Sequence, residues 1–314
     1  LGCQMSGRPS HSGRTPAQGR GAQKQTSGSR RSNSAPASGK GRGNRVGSSS
    51  NRSDRGQGTS KRRSDDLGAD HVEGRQAVRE LLRAGKRRVQ EVLVGEEVND
   101  SAIIAEINDL ATDRRIPVKQ VSRRRLDERA LSEAHQGVIA FAEPIKPLGI
   151  EELLKPRGSE VPFLIVLDGV TDPGNLGAVL RTAEVAGASG VVLPRHRAVR
   201  LTPSAVKAAA GAVEYLRIAL VGGLPAALAQ MKESGIWTVG LDGDGTDSVQ
   251  NLELATKPLA LVLGAEGQGL SHLVRERCDQ IVSIPQKGRV QSLNVAAAAA
   301  IAMYEVRRRR DLDA

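Results

Sequence analysis

Aromatic side chains are nearly missing from this chain of 314 residues: two Phe, two Tyr and one Trp make up 2% of it. Ring stacking is therefore excluded as a main mode of nucleic-acid binding. Any core has to rest on aliphatic packing, with small side chains that let helices approach closely. Cysteine is as scarce. Cys3 and Cys278 stand far apart, without a Cys-x-x-Cys pair or a Cys/His cluster, which argues against both a disulfide framework and a zinc site. Long apolar runs are lacking too. The longest, Val295 to Met303, is mostly alanine and too short to span a bilayer, and no stretch has the apolar centre of a secretory signal. A reducing cytoplasm is the expected compartment, and no metal is expected, since the five histidines are scattered without ligand spacing.

What is present is positive charge, unevenly placed. The formal charge is +11. Leu1 to Asp66 holds fourteen Lys/Arg against three Asp/Glu, which leaves 32 of each sign in the remainder. The whole surplus thus lies in a Ser/Gly/Arg-rich segment, residues 1–66, with too few apolar groups to offset the entropy of ordering. That segment is expected to be a disordered basic tail. It favours a polyanionic partner such as RNA through counterion release; a merely solubilising segment is the other reading. Leu1 to Gln4 precede Met5, which reads as the native start.

Periodicity begins near His71. Ala77, Val78, Leu81 and Leu82 share one helical face, and Val89 to Val94 alternates as a strand. A helix over Ser101–Thr112, a strand over Pro117–Val121, a helix over Arg124–Glu133 and a strand over Gly137–Ala142 complete a small α/β domain, residues 70–143. Pro144, Pro147, Pro156 and Pro162 then mark a linker, residues 144–161, with one short helix at Ile150–Leu154. From residue 162 to 314, continuous aliphatic strands alternate with helices, from Phe163–Leu167 to a last helix over Leu293–Arg309. This pattern predicts a mostly parallel sheet with helices on both faces.

Three segments of that second domain carry candidate chemistry. Asp168 to Ala183 runs from a strand end through Pro173-Gly174 into a helix and contains Asn175 and Arg181. Loops at the carboxyl ends of parallel strands are where such sheets bind ligands, although Asp172 to Asn175 reads equally as a turn and cap. Leu261 to Leu270 is a buried strand followed by Gly264, Glu266, Gly267 and Gly269, where glycines admit close backbone approach to a ligand and a carboxylate can hold a cation or orient a hydroxyl. It is not a dinucleotide fingerprint, since His272 stands where a third glycine is needed. Ile284 to Val295 contains Ser292, Leu293 and Asn294 and leads into the alanine run, with Ser292 the expected helix cap.

In this order and spacing, over about residues 162–308, the three segments resemble the SpoU (TrmH-like) branch of the SPOUT RNA methyltransferases, closest to the group that methylates a guanosine ribose of 23S rRNA. The domain that opens with His71 to Val78 is similar to the ribosomal-protein-like RNA substrate-binding domain found ahead of it. The resemblance implies a C-terminal trefoil knot, a homodimer with sites near the subunit interface, and S-adenosyl-L-methionine as methyl donor, held by Leu263, Gly264, Gly267, Ile284 and Leu293. It implies Arg181, Asn175, Glu266, Ser292 and Asn294 as catalytic residues and Arg75 as an RNA-binding residue. A guanidinium stays protonated and is a poor base. Arg181 is therefore expected to organise the substrate phosphate and hydroxyl, with phosphate or water assisting proton removal.

Other features read as surface. Asp242 to Asp247 imitates a calcium loop but has Asp247 where the sharp turn needs glycine. His196 reads as exposed. Arg307 to Arg310 is either a solvated helix end favoured by the macrodipole or an RNA contact. The competing functions are a transfer-RNA ribose methyltransferase, an adenosine ribose methyltransferase conferring antibiotic resistance, and, in another class, a non-catalytic RNA-binding protein of ribosome assembly.

Overall fold

The computed structural model describes residues 66–98, 101–132, 135–155, 157–195, 200–289 and 292–312. The basic tail, apart from Asp66, and His196 lie outside the described residues. The first unit comprises β1 (His71–Glu73), α1 (Arg75–Ala84), β2 (Val89–Gly95), α2 (Ala102–Asp113), β3 (Val118–Val121), α3 (Arg123–Arg129) and β4 (Val138–Ala142). Its sheet runs β1-β4-β2-β3, with only β2 and β3 parallel. Helix α1 forms because Ala77, Val78, Leu81 and Leu82 bury one stripe, and it stops at Gly85, whose left-handed φ of 59° lets its amide reach Leu81 O at 3.2 Å.

The helix expected to reach Glu133 ends instead at Arg129. The reason is electrostatic competition. The next amides are claimed by the fully buried carboxylate of Glu73, which accepts from Leu131 N at 2.6 Å, from Ser132 N at 3.2 Å and from the Ser132 hydroxyl. A carboxylate can accept several such bonds and is strengthened by its charge.

The second unit follows α4 (Ile150–Leu153) and consists of β5 (Phe163–Leu167), α5 (Pro173–Val185), β6 (Gly190–Pro194), α6 (Pro203–Ala208), β7 (Ile218–Val221), α7 (Leu224–Glu233), β8 (Trp237–Leu241), β9 (Asp247–Ser248), β10 (Leu259–Leu263), α8 (His272–Arg277), β11 (Gln280–Ser283) and α9 (Val295–Leu312). The strand order is β7-β6-β5-β10-β8-β11-β9, and every neighbouring pair is parallel. The central strands β5 and β10 are buried along their whole length, which is why they read as unbroken aliphatic runs, whereas β8, β11 and β9 toward the far edge carry polar and exposed residues. Phe163, Ile165 and Leu167 with Leu259, Leu261 and Leu263 pack toward the side of α5 and α9, while Leu164, Val166, Ala260 and Val262 pack toward α7 and α8. Two-residue β9 and two 3₁₀ turns, Val249–Asn251 and Glu253–Thr256, carry too little periodicity to be expected from sequence.

One continuous core joins the two units, running from Val78 and Leu81 through Leu201 and Val206 to Leu176 and Ala299. A buried ion pair seals the contact: Arg87 Nε donates to Glu214 Oε2 at 3.0 Å, and Arg87 also donates to Ala69 O at 2.8 Å. Among the described residues no helix is long and apolar enough to cross a membrane.

The basic end of α9 is part solvated helix end, at exposed Arg307 and Arg308, and part packed against the sheet, at Arg309 and Arg310. Arg310 donates to the carbonyls of Ala255, Val161, Pro162 and Lys257 and lies 5.2 Å from the Phe163 ring centroid. Arg307 pairs with Asp311, Arg308 and Arg309 pair with Glu305, and Arg309 also donates to Gln250 O. Arg309 and Arg310 thus tie the helix end to the neighbouring backbone, while Arg307 and Arg308 pair along the helix on its exposed side.

Candidate active site

Because the sheet is parallel, the loops that follow β5, β8, β10 and β11 all emerge along one edge. Three of them enclose a cavity of about 280 Å³ lined by residues 241–244, 263–269 and parts of 284–298. The middle loop is folded tightly on itself: Ala265 N donates to Gly269 O and Gly269 N to Ala265 O, each at 2.9 Å. Gly264 is required by space. A Cβ there would lie 2.2 Å from Gly269 C and 2.5 Å from Leu270 N, both backbone atoms. Gly267 is required by conformation, at φ 77°.

All five residues expected to hold the methyl donor, Leu263, Gly264, Gly267, Ile284 and Leu293, line this one cavity, together with Glu266 and Ser292. Asn175 and Asn294 join it through a directional chain. Asn294 Nδ2 donates to Asn175 Oδ1 at 2.9 Å, and Asn175 Nδ2 donates to Glu266 Oε2 at 3.1 Å. A carboxylate only accepts, so Glu266 fixes which end of the Asn175 amide faces it, and that choice fixes the next. Asn294 Oδ1 then accepts from Ala296 N at 2.9 Å and Ala297 N at 3.4 Å. Asn294, not Ser292, therefore caps α9. Ser292 is left exposed at the cavity, with its hydroxyl uncommitted to the helix. Asp172 caps α5 by accepting from Asn175 N at 2.7 Å, so the turn-and-cap reading of that segment holds alongside the functional one.

Arg181 and Arg75 are placed elsewhere. Arg181 is six residues along α5 from Asn175, roughly 9 Å of helix rise. It is exposed, and it lines a different cleft of about 1000 Å³ with Asp127, Leu131, Ser132, His135, Ser204 and Lys207. Arg75 lines a third cavity, of about 710 Å³, on the first unit, where its Nε donates to Gln136 O at 3.0 Å.

Asp242 and Asp244 line the first cavity and were assigned from sequence to a surface loop. Asp242 pairs with Arg275 Nη1 at 2.9 Å and accepts from Asp244 N at 3.1 Å. Burial alone would raise its pKa, but these bonds and the Leu270 amide outweigh it and hold the carboxyl below its ordinary value. The rule that marked the other loops, position at the carboxyl end of a parallel strand, also marks this one, since it follows β8 directly. Among the described residues no group of three or more His, Cys, Asp or Glu is arranged to hold a metal ion.

The fit to a cationic, amphipathic ligand is chemical as well as spatial. The cavity combines carboxylates at Asp244 and Glu266 with apolar walls at Leu263, Ile284 and Leu293 and with backbone that glycine leaves accessible.

Residues 162–304 match the model of the SpoU rRNA Methylase family, and residues 71–148 match that of the RNA 2'-O ribose methyltransferase substrate binding domain. The chain is 40% identical over 244 residues to 23S rRNA (guanosine-2'-O-)-methyltransferase RlmB of Photobacterium profundum, covering 77% of this chain and 99% of that one. It is 41% identical over 246 residues to the protein of the same name from Haemophilus influenzae, covering 77% and 98%. Among solved structures it resembles the SpoU methyltransferase AviRb from Streptomyces viridochromogenes in complex with the cofactor AdoMet, with a TM-score of 0.65 and 27% identity over 82% of this chain and 94% of that one.

Proposed function

The chain belongs to the SpoU rRNA methylase family, and from that membership we propose that it transfers a methyl group from S-adenosylmethionine to a ribose 2′-hydroxyl of RNA, at a guanosine of 23S rRNA. The observation that carries this reading is the cavity in which Glu266, Asn175 and Asn294 form one oriented hydrogen-bond chain beside Gly264 and Leu293. The named relatives at 40% and 41% identity act on that substrate by their names, and they support it here. Work on ribosomal RNA fits the cytoplasm.

S-adenosylmethionine supplies an activated methyl on a sulfonium when bound, so the protein's task is to orient the acceptor in line with it. Leu263, Gly264, Gly267, Ile284 and Leu293 would hold the donor. The Glu266–Asn175–Asn294 chain leaves a second carboxylate oxygen on Glu266 and the Ser292 hydroxyl to position a ribose. A guanidinium is a poor base, so Arg181 organises the phosphate next to the reacting hydroxyl, whose proton passes to that phosphate or to water.

Arg181 lies in a cleft apart from the donor cavity of its own chain, which fits a homodimer in which Arg181 of the partner subunit completes each site. Helix α9 carries the surface for it, since Ala297, Ile301 and Tyr304 form an exposed apolar stripe beside the cavity residue Leu293. The placing of β10 between β5 and β8, both made before it, supports the trefoil knot that the family resemblance implies. The four-stranded unit, residues 70–143, is read as the ribosomal-protein-like domain that grips the RNA.

Mass-spectrometric mapping of ribose methylation in 23S rRNA from a deletion strain tests the substrate: one guanosine should lose its methyl group and regain it on complementation. An unchanged map would remove ribosomal RNA from the reading. Arg181→Ala should abolish transfer with the fold intact, and mixing Arg181→Ala with Glu266→Ala protomers should restore part of it. Restoration failing in verified mixed dimers would place both residues in one protomer's site.

A further inference from the structure

The cleft that holds Arg181 has two unlike walls. On the side of the first unit the described polar side chains Asp127, Ser132 and His135 are each engaged. Asp127 Oδ1 lies 2.9 Å from His135 Nε2, His135 Nδ1 accepts from Gly137 N at 3.0 Å, and buried Glu73 fixes Leu131 and Ser132. On the side of α5 and α6 the two cations, Arg181 and Lys207, make no hydrogen bond or ion pair among the described residues. Arg79, Arg83, Arg87, Arg275 and Lys232 are paired; among the described residues exposed Arg115 and Arg125 are not, but they line no cleft with a second such cation, as Arg181 and Lys207 do.

Both cations line this cleft because of how α5 meets α6. Gly177 lets α5 lie directly on α6: a Cβ there would come within 2.4 Å of Ala205 O and 2.5 Å of Ala208 Cβ. Arg181 is one helical turn beyond Gly177, on the same face, and Lys207 immediately precedes Ala208. The stem of Lys207 is half-buried and packs over the place where Gly74 has no side chain, its Cγ 3.5 Å from an ideal Cβ at that position. A lysine with its stem pinned and its ammonium unpaired has lost rotamer freedom without gaining a partner. Two unpaired positive charges facing one cleft favour an anion between them.

We propose that Lys207 is a phosphate-positioning residue for the RNA substrate, holding the backbone phosphate next to the one organised by Arg181 and so setting the register of the target ribose. The inference rests on the methyltransferase reading and deepens it. A strand gripped there would lie between His135 and Ser132 of the first unit and Lys207 of α6. The choice of RNA over an acidic protein segment follows from the pairing with Arg181.

The test uses the full-length protein with Lys207→Ala, Lys207→Gln and Lys207→Arg, a 23S rRNA transcript and S-adenosylmethionine. Lys207→Ala and Lys207→Gln should raise the KM for RNA by about tenfold with a smaller change in kcat. They should reduce the slope of log affinity against log salt by about one and leave donor affinity unchanged. Lys207→Arg should keep most of the wild-type behaviour. A wild-type KM and salt slope in Lys207→Ala would overturn the proposal, and so would an equal loss in all three variants with a lowered melting temperature and an unchanged slope, which marks a packing role. If the wild-type protein binds RNA but transfers no methyl group, the enzyme reading falls while the salt slope still decides Lys207.

Discussion

At Arg310 the guanidinium spends its donors on four backbone carbonyls and stacks on Phe163. Burial pulls its pKa down to about 10, still far above neutrality, so it remains charged where it sits. Arg310→Met keeps the stem and removes the donors. It should cost about 2 kcal/mol of stability, because carbonyls at the sheet end lose a charged partner, and denaturant unfolding reads this directly; an unchanged midpoint would mean water replaces the guanidinium freely. A different residue-scale constraint operates at Gly264, where the neighbours of any added methyl are backbone and cannot rotate away. Gly264→Ala should weaken donor binding by more than about tenfold in a protein that is otherwise folded. Calorimetry that returns wild-type affinity would show that the loop accommodates the methyl and that the cavity is not the donor site.

At the scale of elements, α9 begins on a residue that also belongs to the site. Asn294 caps the helix through Oδ1 and reaches Asn175 through Nδ2, so the two roles can be separated by chemistry. Asn294→Ala loses both and should cost about 1 kcal/mol of stability along with most of the transfer activity. Asn294→Asp keeps the cap acceptor and loses only the donor toward Asn175, so its stability should stay near wild type while activity falls; equal stability loss in both variants would contradict the cap. The elements differed in how far the sequence disclosed them. β5 and β10 were legible because strands buried on both faces are written as unbroken aliphatic runs, and α1 because its apolar stripe ends at a glycine. Two of the loops that form the cavity, after β10 and β11, were legible by position at strand ends, whereas the loop after β8 reads from its own residues as surface. Others depended on contacts made across the fold: the end of α3 is set by Glu73, more than fifty residues earlier, and Asn294 displaces Ser292 as cap because Asn175 and Glu266 orient it. No local pattern could place Arg181 in a cleft with Lys207, since that follows from the meeting of α5 and α6 at Gly177.

For the molecule as a whole, buried polar groups stand at and near the join between the two units: Arg87 with Glu214 across it, and within the first unit Glu73 with Ser132 and His71 against Phe141, with ring centroids 4.9 Å apart. His71 Nε2 lies 2.9 Å from Glu73 Oε1 but off the hydrogen-bond axis. Burial lowers the His71 pKa below 6.5 and outweighs the raising effect of Glu73. Just below pH 6.5 the unfolded chain therefore binds a proton that the folded protein refuses, and global stability should fall as pH drops through that window. His71→Gln, which cannot titrate, should flatten that part of the profile. Unfolding free energies at pH 7.5 and 5.5 in both proteins provide the check, and parallel profiles would refute it. The order of the large sheet carries a further consequence, one of timing. β10 sits between β5 and β8 yet is made after both. On a ribosome adding about 5–20 residues per second, some one to four seconds separate β8 from β10, and for that interval β5 and β8 each lack the neighbour they will finally have. If they pair with one another early, they must part again to admit the latecomer. The nascent chain is thus most exposed to misassembly and to chaperones midway through making its second unit, before the donor cavity has a floor to close on.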